Sequence, residues 1–221
     1  MNVILEFLII STIFLNYYLL STTSVRNLIK YAAYQGVIAA LMPLFFDFHP
    51  SALGFMIALI SLKGFVFPWL LIKLSEKYNI KYESKSKLLT PLFTSFLFIS
   101  VFFLSFYLSY KLNFGSNNFH LLIPASFITI FTGILIIIIK TKTLSQIVGY
   151  IVLENGIYCF GVSAFIKEPF TVEAAILLDI FVALFVMGMA VFHIGKEFNQ
   201  LEVDFMNELK DSIEIIESKE E

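Results

Sequence analysis

Seven stretches of 18 to 24 predominantly apolar residues, divided by short polar turns, leave this 221-residue chain few ways to fold. They cover 3–20, 28–46, 51–73, 88–110, 120–139, 144–166 and 171–194. About 17 to 25 such residues are what a helix needs to cross the hydrocarbon of a bilayer. Seven transmembrane helices are therefore expected. Composition agrees: 58% of residues are hydrophobic and only 14% charged, which excludes an ordinary soluble domain. The fold class is an all-α integral membrane protein. A net charge of only −2 argues against nucleic acid as a partner, and the lone Cys159 can form no intrachain disulfide. The first run carries Glu6 and Asn16, has no basic start and no small-x-small cleavage site, so it reads as a retained helix.

Basic residues near span ends set direction, because Lys and Arg are retained in the cytoplasm. Loops one, three and five and the tail hold Arg26, Lys30, Lys73, Lys77, Lys81, Lys85, Lys87, Lys140, Lys142, Lys196, Lys210 and Lys219; the alternate loops hold only Lys111 and Lys167. Twelve against two puts the N-terminus outside and the C-terminus in the cytoplasm. The basic residue left over is Lys63, inside a span.

Lys63, Glu154 and Asp179 stand where hydrocarbon is expected. Each intramembrane charge costs on the order of 2.5 to 3.5 kcal/mol even on mild insertion scales, and such residues commonly mark ion pathways or proton relays. Glu154 lies about 15 Å along its helix from Leu144, with Gln146, Tyr150 and Tyr158 expected on its face from their four-residue spacing. It suits a carboxyl that a change in neighbours loads with a proton or releases from one; it equally suits a neutral acid bonded to Tyr150 or to another helix as packing glue. Asn155, Gly149, Gly156 and Gly161 read as helix contacts. Asp179 is too deep to stand alone and needs a partner on another helix, either Lys63 or a neighbouring subunit, whereas Glu173 reads as interfacial. Lys63 is followed by Gly64 and Pro68, and Pro68 leaves the Gly64 carbonyl without its helical donor, so a kink is expected there. A lysine beside broken helix suits an ion stepping stone or a buried salt bridge. Gln35, Tyr34 and Tyr31 on the second span, and His120, are weaker signals.

Two larger features complete the organisation. A shift of 116 residues lays Leu28 on Leu144, Tyr34 on Tyr150, and 58–66 on 174–182, with Lys63 on Asp179. This is the pattern of a parallel duplication of three-helix units, 1–73 repeated in 120–194, as occurs in transporters. Residues 1–194 then form the transmembrane bundle. The tail 195–221 holds nine acidic residues and three lysines, with Leu201, Phe205, Leu209, Ile213 and Ile216 at helical spacing. It reads as an acidic amphipathic cytoplasmic helix suited to docking on protein. No Walker loop, metal-spaced Cys or His, or Ser-His-Asp set is present, so no cofactor, metal or catalysis of its own is expected.

The segment Thr143-Leu144-Ser145-Gln146-Ile147-Val148-Gly149-Tyr150-Ile151-Val152-Leu153-Glu154-Asn155-Gly156, followed by Ala174-Ala175-Ile176-Leu177-Leu178-Asp179-Ile180-Phe181-Val182-Ala183, resembles component E of the hydrogenase-4 type (HyfE). That family provides a membrane subunit of complexes built around a group 4 nickel-iron hydrogenase, and its last three helices are similar to NuoK of complex I and MrpC of multisubunit antiporters. The resemblance runs from about Thr143 into the tail and extends loosely to the neighbourhood of Lys63 and Pro68. It implies that Glu154 and Asp179 occupy the region where NuoK carries two intramembrane glutamates. Two departures stand out: Glu154 lies three residues beyond the place of the first glutamate, and Asp179 is one methylene shorter. The implied function is a non-catalytic, multi-pass subunit of the cytoplasmic membrane, partnered by antiporter-like subunits, in which Glu154, Asp179, Lys63, Tyr150, Gln146 and Gln35 carry protons or sodium. A purely structural scaffold, or an antiporter subunit of the MrpC type, are the alternatives.

Overall fold

The computed structural model describes residues 3–45, 53–77, 90–112 and 121–164, and the isolated Gly188. His120, the seventh apolar run with Asp179, and the acidic tail lie outside the described residues. Every extended element among those described is a helix: α1 (Val3–Ser21), α2 (Val25–Leu41) continued by a 3-10 turn (Met42–Phe45), α3 (Leu53–Ser61), a π-helical turn (Leu62–Val66), α4 (Phe67–Lys77), α5 (Pro91–Leu112), α6 (Leu122–Ile139) and α7 (Thr143–Ala164). Four of them, α1, α2 with its extension, α5 and α6, are long and apolar enough to cross a membrane. The chain is a helical membrane protein.

Local sequence explains where these helices begin and change. Ser24 caps α2 by accepting from the Asn27 N–H. Pro91 opens α5 at a position where the missing N–H is not needed. At Pro68, where a kink is expected, the hydrogen-bond pattern of the helix changes. Where the proline withdraws a donor, the chain takes a π turn, the Phe67 N–H reaching back to the Leu62 carbonyl, and the helix runs on from Leu53 to Lys77. A π turn inserts one extra residue and so redirects the side chains that follow, and it is found disproportionately at functional sites. Lys63 is its second residue.

Packing sorts the buried side chains into two apolar layers with a polar one between. One layer joins Leu19 and Leu20 of α1, Leu28 of α2, Phe67 and Leu71 of α4, Ile136 and Ile139 of α6 and Val148 of α7. The other joins Leu5 and Ile9 of α1, Ala39 and Ala40 of α2, Leu59 of α3, Leu122 and Ala125 of α6 and Cys159 and Val162 of α7. Tracing each helix from layer to layer gives α1 and α6 one direction and α2 and α7 the other, as successive crossings of a bilayer require. Arg26, Lys30, Lys73, Lys140 and Lys142 all fall at the end of the first layer. That end is the basic one.

Among the described helices α6 and α7 pack most closely, because glycines let their backbones meet. A Cβ on Gly133 would stand 2.5 Å from the Leu153 amide nitrogen, and one on Gly156 would stand 2.6 Å from that of Ile130. Neither place admits a side chain. Small residues serve this purpose widely in membranes, where helix association rests on close contact and not on the hydrophobic effect.

Candidate functional site

Between the two apolar layers, five helical segments turn polar groups inward at one depth. Lys63 lies ten residues from the start of α3, about 15 Å at helical rise. Glu154 lies eleven residues into the 22-residue α7, at its midpoint. Their side chains meet, Lys63 Nζ standing 3.4 Å from Glu154 Oε1, with 2% and 5% of the two side chains exposed. The ammonium also donates to Asn155 Oδ1 at 3.1 Å and lies 5.3 Å from the centre of the Tyr158 ring. The lysine thus has a carboxylate, an amide oxygen and an aromatic face around it. Gly36 of α2 makes room for its stem: a Cβ there would come within 3.1 Å of Lys63 Cβ.

A second polar chain runs beside the first. Gln35 Nε2 donates to Asn16 Oδ1 at 2.8 Å, Asn16 Nδ2 donates to Thr129 Oγ1 at 2.8 Å, and the Thr129 hydroxyl donates to the Ala125 carbonyl at 2.9 Å. Gln35, Asn16 and Thr129 are all fully buried. Three helices, α2, α1 and α6, are joined by these bonds, and Gln35 and Gly36 are consecutive on α2, so the two chains are neighbours.

The residues singled out from sequence separate by position. Lys63, Glu154 and Gln35 all enter the middle layer. Gln146 lies at the basic end of α7, half-buried, and donates to the Lys140 carbonyl at 3.1 Å. Tyr150 is 42% exposed and faces away from the core. The four-residue spacing of Gln146, Tyr150, Glu154 and Tyr158 explains the split: at 3.6 residues per turn each step of four drifts about 40°, so three steps carry the stripe about a third of the way round. Its first two members, Gln146 and Tyr150, are half-buried and exposed, and its last two, Glu154 and Tyr158, are buried. Asp179 lies outside the described residues.

Four residues have a structural role that their sequence context does not announce. Asn155 reads from sequence as a packing residue and instead accepts from Lys63. Asn16 and Thr129 carry no signal beyond a polar residue in an apolar run, which is the one clue available. Lys140, counted among the loop cations, is 1% exposed, and its ammonium donates to the Thr22 carbonyl just past the end of α1. A cation is favoured there because the last carbonyls of a helix carry partial negative charge.

Chemically, the pair can exist as two ions or as two neutral groups related by one proton. Desolvating two charges opposes the ionic form and their mutual attraction in a low dielectric favours it, so modest changes in surroundings can shift the balance. Lys63 has a neutral alternative acceptor in Asn155. Movement of the ammonium toward the amide weakens its hold on the carboxylate. No group of His, Cys, Asp and Glu suited to a metal ion occurs among the described residues.

Fold and site together define a polytopic helical membrane protein with an ionic centre sealed between apolar layers. Over 190 residues it is 21% identical to the uncharacterised protein Rv0085 of Mycobacterium tuberculosis, an alignment spanning 84% of this chain and 86% of that protein. No protein-family profile matches the chain, and no solved structure matches it.

Proposed function

We propose that this chain is a non-catalytic subunit of a membrane complex of the group 4 nickel-iron hydrogenase or complex I type, in which the Lys63–Glu154 centre handles protons, or sodium, during coupling to redox chemistry in partner subunits. In this reading it crosses the cytoplasmic membrane seven times, with the N-terminus outside and the basic end in the cytoplasm. Asp179 then supplies a second acid on the seventh crossing, and antiporter-like subunits are the neighbours. One observation carries the proposal: an ion pair 3.4 Å apart, almost fully buried, placed midway along its helices and adjoining a π turn. Intramembrane ionisable residues of this kind are costly, and their presence is accounted for by a task. The resemblance of 143–156 to component E supports the choice of complex.

The test is substitution in the assembled complex. Glu154→Gln and Asp179→Asn keep size and hydrogen bonding while removing the charge. In the complexes that assemble, ion translocation per redox turnover reduced about tenfold or more is the expected result. Complexes that fall apart, with pumping intact in whatever assembles, would instead assign the polar groups to a scaffold. That second reading draws on the Asn16–Gln35–Thr129 chain, whose bonds join three helices.

A further inference from the structure

Gln35 and Asn155 each leave one polar atom without a hydrogen-bond partner, although both residues are fully buried. The orphan atoms are complementary. Gln35 Oε1 is an acceptor and Asn155 Nδ2 a donor, and the other half of each amide is engaged, Gln35 Nε2 with Asn16 and Asn155 Oδ1 with Lys63. Buried polar groups in native proteins are almost always satisfied, by protein or by ordered water. The two amides also come from adjoining places: Gly36 directly follows Gln35, and a Cβ at Gly36 would lie 3.5 Å from Asn155 Nδ2. With no side chain at residue 36, the α2 backbone and the Asn155 amide approach closely, which brings the two polar chains side by side.

We propose that Gln35 Oε1 and Asn155 Nδ2 hold a buried water molecule that bridges the Thr129–Asn16–Gln35 chain to the Lys63–Asn155–Glu154 centre. The water donates to Gln35 Oε1 and accepts from Asn155 Nδ2, and it retains a second O–H and a lone pair for further partners. Buried waters commonly make about three hydrogen bonds, so two fixed amides of opposite character form most of a site. Thr132, one turn from Thr129 on α6, carries a further buried polar atom without a partner. Gln35 is then a positioning residue: by fixing the water it holds the Asn155 amide in the orientation that presents Oδ1 to the lysine. Its effect on ion movement rests on the proposed function; the water site itself does not.

A density map of the native assembly at about 2 Å resolution tests the site directly, since ordered water is resolved there and no variant has to fold. A spherical feature within hydrogen-bond distance of both atoms is the expected result. A direct amide–amide bond, or an empty space between the two, overturns the proposal. Gln35→Leu, checked for assembly, supplies the second arm and should lower ion translocation per turnover about tenfold, the lower range for loss of a supporting partner, with the feature gone from its map. If Glu154→Gln abolishes translocation while Gln35→Leu leaves it unchanged, the positioning role fails and the proposed function stands. If the feature is seen and none of these substitutions alters translocation, the water site stands and the proposed function fails.

Discussion

Replacing Lys63 by Met tests the energetic basis of the polar layer. At 3.4 Å, an effective dielectric of about 20 gives the pair an attraction of about 5 kcal/mol. Removing one member of a buried pair typically costs 3 to 5 kcal/mol, whereas replacing both by apolar residues of similar volume is often neutral. We expect Lys63→Met and Glu154→Leu each to lower stability by about 3 to 5 kcal/mol, and the double variant to fall within about 1 kcal/mol of the parent. Asn155, which loses its bond in both Lys63 variants, sets the residual cost. Cys159 provides the assay. It is buried, with Sγ 3.6 Å from Met42 Sδ, and is the only cysteine, so a thiol-reactive fluorophore reports opening of the bundle in detergent. The single variants should react at temperatures lower by about 10 °C. A silent Lys63→Met, or a double variant whose loss equals the sum of the two singles, would refute the account of the pair.

Asn16→Leu should cost about 1 to 2 kcal/mol in the same assay, because it leaves Gln35 Nε2 without its acceptor and removes the donor to Thr129 Oγ1. Gly133→Ala should weaken the α6–α7 contact markedly, since its Cβ would meet Leu153 backbone at 2.5 Å, while Gly54→Ala, with nothing within 4 Å, should be neutral or slightly stabilising. Glu76→Ala removes a 3.2 Å bridge to Arg26, but both side chains are more than half exposed, and a change above about 1 kcal/mol would contradict that placement.

The described helices, and Lys63 and Glu154 within them, are legible in the sequence because both follow from hydropathy alone. Lys63 and Glu154 stand out against their runs, and a break near Pro68 follows from its missing N–H. Partnership was not legible. Lys63 and Asn155 are 92 residues apart, and periodicity fixes which residues share one helix face without saying which faces meet. Gln35 was a weak signal for the same reason: its meaning lies in Asn16, nineteen residues earlier. Tyr150 shows the limit of counting by fours: it is one step of about 40° from Glu154, yet it is exposed where Glu154 is buried. Lys140 shows the limit of counting charges in loops. The residues flanking it lie at the end of α6 and the start of α7, as a loop cation's should, but its side chain folds back to close α1.

The proposed subunit and a transporter that works alone make different demands on these layers. Among the described residues, the middle layer is closed toward the basic end by Leu19, Leu28, Leu71, Ile136 and Val148, and toward the other end by Ile9, Ala39, Leu59, Leu122 and Val162. A solitary carrier would have to open each layer in turn, separating well-packed aliphatic side chains from five helical segments. An ion that enters and leaves sideways, through polar groups of adjoining subunits at the same depth, needs neither opening. The chain purified alone into liposomes should therefore leave an imposed pH or sodium gradient intact, measured against empty vesicles with a fluorescent indicator and with an ionophore added at the end to prove that the gradient was there. Gradient loss that vanishes in Glu154→Gln would overturn this argument, because it would require a route through the apolar layers that the isolated chain opens for itself.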